Sequence, residues 1–262
     1  MSGTLAGPHG HDFSALSRVL AGFRGERVVF VPEPGNAGDN LLNLGAYLLM
    51  ERLGLDWEPG TRAGVYPGRV VIYGGGGSHV PLYPSGGDCL AANHGVARAL
   101  VLLPHTVRIH GEIFAEMDAR CHLFARDAGS LAYLRGTATG GAAVHDGHDL
   151  AFLLDDATVA GLPWPRSEVL RPGRRGAWAR MLARHLVEAR TGDGCLRAYR
   201  VDGESAGRRL PPRNSDLSKN FATGAQHRAA CVAVAKVLRR VIRLYDRVET
   251  DRLHVALYSA IL

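Results

Sequence analysis

The chain has 262 residues, 46% of them hydrophobic and 21% charged, with a formal net charge of +6; this is the composition of a folded protein of one large domain or two ordinary ones, and it excludes disordered and collagen-like classes. No apolar run approaches the roughly 18 residues of a membrane-spanning helix, since "LLNLGAYLLM" is broken by Asn43 and Gly45, and the N-terminus has no basic segment followed by an apolar one, so a cytoplasmic protein is expected. The charge excess is nearly all arginine, Lys219 and Lys236 being the only lysines, and it is scattered, which argues against nucleic acid as a partner.

Short β-branched runs alternate with longer helical stretches, the pattern of an α/β fold with a mainly parallel sheet. "RVVFVPEP" from Arg27 reads as a buried strand, and the following stretch opens on Asp39 with Leu41, Leu44 and Leu48 at helical spacing, a helix with an aspartate cap. "RVVIYGGGG" from Arg69 is a second strand running into a glycine loop, and "ALVLLPHTV" from Ala99 a third. "CHLFARD" and "AAVHDGHDLAFLL" supply two more strand-like cores. The polar residues of these strands fall at their C-terminal ends, the edge where open α/β sheets bind ligands. Around "GLPWPRSEVLRPGRRG" the periodicity lapses and Pro, Gly and Arg concentrate, marking a linker over 161–176 between a first domain, 1–160, and a second, 177–262. The second holds a helix, the strand "CLRAYRVD", a polar loop, a long helix, and a closing strand and helix. It is small for a doubly wound domain of about 100–150 residues. Two such α/β units would form a cleft.

Several stretches carry chemistry. "GNAGDN" lies between a strand and a helix, so its amides could hold a polar ligand and Asn36 and Asp39 could bond sugar hydroxyls, although a plain capped turn has the same pattern. Gly74 to Gly77 lose much backbone entropy on ordering, and close approach of the main chain to a ligand explains them. "HDGHD" from His145 raises a metal site, but a strand end sends neighbouring side chains to opposite faces, so a polar turn is favoured and no metal is expected. The four cysteines lack zinc or disulfide spacing and read as buried thiols. Arg200, Asp202 and Glu204 alternate along a strand and so share one face. Arg252 and His254 stand at the start of the closing helix, where cations oppose the macrodipole unless an anion is near. With Arg200 at the end of a neighbouring strand, they would make a phosphate site.

Taken in order, these pieces resemble the polysaccharide pyruvyl transferase family. The resemblance runs through Asn36, Gly38 and Asp39 (NxGD), the glycine run, "LPHTV" where the family has LPQ(S/T), and "FARDAGSLAYL" with Arg126, Asp127 and Ser130. It continues through "DLAFLL" with Asp149, R-x-D-x-E with Arg200, Asp202 and Glu204, and the terminal TDRLH. It implies two Rossmann-like domains in a GT-B-like arrangement, with the C-terminal one short or truncated. It also implies transfer of the pyruvyl group of phosphoenolpyruvate onto a sugar of an exopolysaccharide or cell-envelope glycan as a ketal, with phosphate released and no further cofactor. Phosphoenolpyruvate would lie against Arg200, Arg252, Leu253 and His254. The acceptor, a saccharide or lipid-linked oligosaccharide, would lie against Asn36, Gly38, Asp39, Gly75, Gly76, Gly77, His105, Arg126 and Asp149. Peripheral association with membrane-bound glycan assembly follows from such an acceptor. His254 is the expected general acid and Asp39, or else Asp149, the base. His105 stands where the family has glutamine, and the chain ends eight residues after His254, where family members continue with another strand. A sugar-nucleotide-dependent glycosyltransferase of the same architecture and an inactive glycan-binding homologue are the alternatives.

Overall fold

The computed structural model describes residues 7–165, 172–205, 207 and 209–262, so the middle of the expected linker lies outside the described residues. The chain is α/β and divides into two compact units, the first formed by residues 1–33 and 45–153, the second by 34–44 and 154–262.

The first unit carries α1 (Ser14–Ala21), β1 (Arg27–Val31), the later part of α2 (Ala37–Leu53), β2 (Asp56–Pro59), β3 (Val70–Tyr73), β4 (Gly76–His79), α3 (Asp88–Asn93), β5 (Ala99–Val107), α4 (Gly111–Ala115), β6 (Cys121–Ala125), α5 (Ala128–Thr137) and β7 (Ala143–Asp146). Its seven strands form one sheet in the order β2-β1-β3-β5-β6-β7, with β4 also on β5, and every pairing is parallel. The central strands are continuous apolar runs because both their faces are covered: Val28 to Val31, Val70 to Tyr73 and Leu100 to Leu103 are all buried. From β1 the chain goes outward to β2 and then crosses to β3 on the other side, so the order reverses between β1 and β3, where a Rossmann-like sheet opens its ligand crevice.

The glycine run is a loop only in its first half, since Gly76 and Gly77 belong to β4. β3 and β4 both pair with β5, and the break between them at Gly74 and Gly75 faces a register shift in β5 between Leu102 and His105. Pro104, which has no amide to give the ladder, lies in that shift. A Cβ on Gly75 would stand 2.7 Å from the Pro104 carbonyl oxygen, and one on Gly76 2.8 Å from Glu33 Cγ. Packing by the chain itself thus leaves no room for a side chain at Gly75 or Gly76.

The second unit carries the first turns of α2, α6 (Asp156–Gly161), α7 (Pro172–Thr191), β8 (Cys195–Ala198), α8 (Leu217–Asn220), α9 (Arg228–Ile242), β9 (Arg247–Thr250) and α10 (Leu253–Ile261). Its sheet is β8 paired in parallel with β9, one βαβ crossover closed by α10, rather than a full Rossmann-like domain. α9 buries an apolar face from Ala230 to Ile242. Two boundaries differ from the sequence reading: the second unit begins at Leu154, and it includes Pro34 to Leu44. The link is made by side chains far apart in sequence. Asn40 Nδ2 donates to the Ala225 carbonyl at 2.9 Å and to Gln226 Oε1 at 2.8 Å, and Gln226 Nε2 donates to the Gly35 carbonyl at 3.2 Å.

Candidate functional site

In the second unit the geometry is built around Arg252, which precedes α10. The Thr250 hydroxyl accepts from the Arg252 amide at 3.0 Å and donates to the Ala198 carbonyl at 2.7 Å, tying the end of β9 to β8. Arg252 is only 5% exposed. Its Nε donates to Asp216 Oδ1 at 3.0 Å, and its Nη2 pairs with Asp216 Oδ2 and, at 2.6 Å, with Asp202 Oδ2. Arg200 joins the same cluster, with Nε 2.9 Å from Asp202 Oδ1 and Nη1 2.5 Å from Glu204 Oε2. Asp202 therefore bridges the two guanidiniums. Burial pushes its carboxyl up, but Arg200 and Arg252 outweigh that and hold it below the ordinary carboxylate value.

The R-x-D-x-E segment departs from the expected strand. The β8–β9 ladder ends at Ala198 opposite Thr250, and beyond it side chains take over the backbone partners: Asp251 accepts from the Arg200 amide at 2.8 Å, and Asp216 from the Val201 amide at 3.0 Å. The three residues meet through a loop, not through a shared strand face. The expected anion site is also occupied from within, by three carboxylates on two guanidiniums. Asp216 gave no signal in the sequence beyond a residue suited to cap α8, which it does by accepting from the Lys219 amide.

Leu253 is more than half exposed, and His254 is half-buried in the first turn of α10. A Cβ on Gly38 would lie 2.6 Å from His254 Nδ1, so the absent side chain is what admits the imidazole beside the start of α2. The turn before α2 closes on itself: Asn36 Oδ1 accepts from the Gly38 amide and Asp39 Oδ2 from the Asn36 amide, each at 2.7 Å. The helix opens at Ala37, with Asp39 inside its first turn rather than at the cap. Asn36, Gly38 and Asp39, expected on the acceptor side of the first domain, thus share a unit with Arg200, Arg252, Leu253 and His254.

The remaining expected residues form a separate group in the first unit. Arg126 donates from Nη1 to Asp149 Oδ2 at 2.9 Å and from Nε to Thr106 Oγ1 at 2.8 Å. Thr106 donates onward to Asp127, whose carboxylate caps α5 by accepting the Ser130 amide and also takes Arg108 at 2.8 Å. A Cβ on Gly77 would lie 3.2 Å from Arg126 Nη2, so the glycine run borders this pair. His105 is fully buried; its Nε2 accepts the Ser78 amide at 3.1 Å, which puts the ring hydrogen of the neutral imidazole on Nδ1. Burial, then His79 and Arg126, push it well below the ordinary imidazole value. His79, with its ring centroid 4.4 Å from that of His105, is pushed to about 3 by burial and by His110 and Arg62. Glu33, just past β1, and His79, the last residue of β4, escaped the sequence reading; the one signal was that Glu33 follows a buried strand. In "HDGHD", β7 stops at Asp146, and His145 Nε2 meets His122 Nδ1 at 3.3 Å. Among the described residues no group of three or more His, Cys, Asp or Glu is disposed to hold a metal ion, and no helix is long and apolar enough to cross a membrane.

No family model matches the chain, and no curated protein sequence matches it. A solved structure similar to it is that of a functionally uncharacterized protein from Klebsiella pneumoniae subsp. pneumoniae NTUH-K2044, with a TM-score of 0.69 and 22% identity, covering 94% of this chain and 84% of that one. At that identity the likeness is one of fold.

Proposed function

We propose that the chain is a ketal-forming pyruvyl transferase, moving the pyruvyl group of phosphoenolpyruvate onto a sugar of an exopolysaccharide or cell-envelope glycan. The observation that carries this reading is the gathering, within one unit, of Arg200 and Arg252 on a common carboxylate and of His254 against the Asn36–Asp39 turn. Phosphoenolpyruvate carries a phosphate and a carboxylate, and two arginines match that pair of anions better than lysines would, because guanidinium binds each in bidentate fashion. The reading brings with it a GT-B-like arrangement of two Rossmann-like domains, the C-terminal one short, a cytoplasmic location, and an acceptor held by the first-unit group of Gly75, Gly76, Gly77, His105, Arg126 and Asp149.

The chemistry assigns each group a step. His254, held against the Asn36–Asp39 turn, delivers a proton to C3 of the enol, leaving C2 electrophilic. A sugar hydroxyl adds to C2 and gives its proton to a base, Asp39, which stands in the turn that His254 abuts and in the same unit. The C2–O bond to phosphate then breaks, with Arg200 and Arg252 stabilising the leaving charge, and a second hydroxyl closes the ketal. The sum is phosphoenolpyruvate plus a diol giving a pyruvate ketal plus inorganic phosphate.

The test is phosphate release from phosphoenolpyruvate in the presence of a cell-envelope glycan. His254→Ala and Arg252→Ala are each expected to lower turnover by about 10²-fold or more. Wild-type turnover in both variants, or a thermal shift with a sugar nucleotide and none with phosphoenolpyruvate, removes this reading.

A further inference from the structure

The carboxylates that neutralise the two arginines are of two kinds. Asp216 is buried, takes both Nε and Nη2 of Arg252, and also accepts the amides of Val201 and Lys219, so it belongs to the scaffold. Asp202 and Glu204 are different: each side chain is 36% exposed, more than the 15% of Arg200 or the 5% of Arg252 that they cover, and both stand on the loop beyond β8. One carboxylate spans two guanidiniums and a second sits on the far end of Arg200, which is how a small molecule with two anionic groups would be held.

We propose that Asp202 and Glu204 are a built-in competitor for the anion: Asp202 fills the position on Arg200 and Arg252 that a phosphate or carboxylate takes, and ligand binding exchanges one for the other. The identity of the anion rests on the reading above; the exchange itself does not. With the loop carboxylates in place the cluster has two positive and three negative groups. With them displaced, Asp216 stays on Arg252, the Arg200 guanidinium is released, and the positive end of α10 adds to the attraction for an anion. Ion pairs with this much solvent access are weak enough to exchange, whereas the buried Arg252–Asp216 pair holds its guanidinium in place through the exchange. The measured affinity is then the intrinsic one reduced by the fraction of molecules in which the position is open. Such a competitor also keeps unrelated weak anions off an arginine pair.

The test is calorimetric titration of the full chain with inorganic phosphate and, separately, with phosphoenolpyruvate. Asp202→Asn keeps the shape and removes the competing charge, and is expected to bind phosphate about tenfold more tightly than the wild type at low salt; Glu204→Gln is expected to gain about threefold. Unchanged or weaker phosphate binding in Asp202→Asn overturns the proposal, because the carboxylate would then be part of the scaffold. If that variant does not fold, Glu204→Gln decides alone: tighter binding supports the exchange and equal or weaker binding overturns it. Tighter phosphate binding without any response to phosphoenolpyruvate keeps the competitor and removes the pyruvyl-transfer reading. Turnover of phosphoenolpyruvate without tightening in either variant does the reverse.

Discussion

A guanidinium as buried as Arg252 has given up most of its hydration, and Asp216, 2% exposed at its side chain, has done the same. Their attraction mainly offsets that loss, so the pair adds little net stability, yet removing Asp216 leaves the buried guanidinium with the partly exposed Asp202 and takes the acceptor from the Val201 and Lys219 amides. Asp216→Ala is therefore expected to lower the unfolding free energy by roughly 3–5 kcal/mol, read from urea denaturation, with much of the loss recovered when Arg252→Met is added. A loss below about 1 kcal/mol would mean that water reaches the guanidinium, as at an exposed ion pair. The same residue explains why the phosphate site read from the sequence differs from the one observed. Arg200, Arg252 and His254 were legible from their types and their nearness to element ends. The carboxylate that neutralises Arg252 was not, because Asp216 reaches it across 36 positions of sequence.

At the scale of elements, the strands that could be read are those buried on both faces: β1, β3 and β5 hold the unbroken apolar runs Val28 to Val31, Val70 to Tyr73 and Leu100 to Leu103. The R-x-D-x-E segment misled because alternation has the strand period whether or not a neighbour is present, and β9 gives no partner beyond Thr250. α2 was legible as a helix, but its division between the units was not, since the contacts that decide it run from Asn40 to residues 225 and 226. Within α2, Gly45 costs about 1 kcal/mol of helix propensity relative to alanine. A Cβ there would lie 2.1 Å from the Leu150 carbonyl oxygen, which is backbone and cannot rotate away. Gly45→Ala should thus lose more by overpacking than it gains in propensity, with a net destabilisation of roughly 1–3 kcal/mol in urea midpoints. A more stable Gly45→Ala protein would show that the helix and the 150–153 turn can separate at little cost.

For the whole molecule, acid response is set by histidines sealed inside both units. His105 and His79 are fully buried in the first; His185 is fully buried in the second, its Nδ1 2.8 Å from the Tyr245 hydroxyl and its Nε2 3.1 Å from the Ser215 hydroxyl. Burial pushes His185 to about 4 and His79 to about 3, with His105 also well below the ordinary imidazole value. The unfolded chain binds these protons near pH 6.5, so between that pH and the folded values the unfolded state holds more protons than the native one. The stability of the native state is then fully present above about pH 6.5 and falls as the pH drops toward 4. Asp127, which burial pushes up but which Ser130, Arg108 and Thr106 hold at about 2, adds a second loss that sets in only below about pH 4 and overlaps the lower end of the His79 window. Urea midpoints measured at pH 7, 5.5 and 4.5 should decline across this series, and His185→Gln, which keeps hydrogen-bonding capacity without a titrating ring, should decline less steeply. Equal midpoints at pH 7 and 4.5 would mean that the buried rings take up protons as easily as exposed ones, and that burial does not keep them from water.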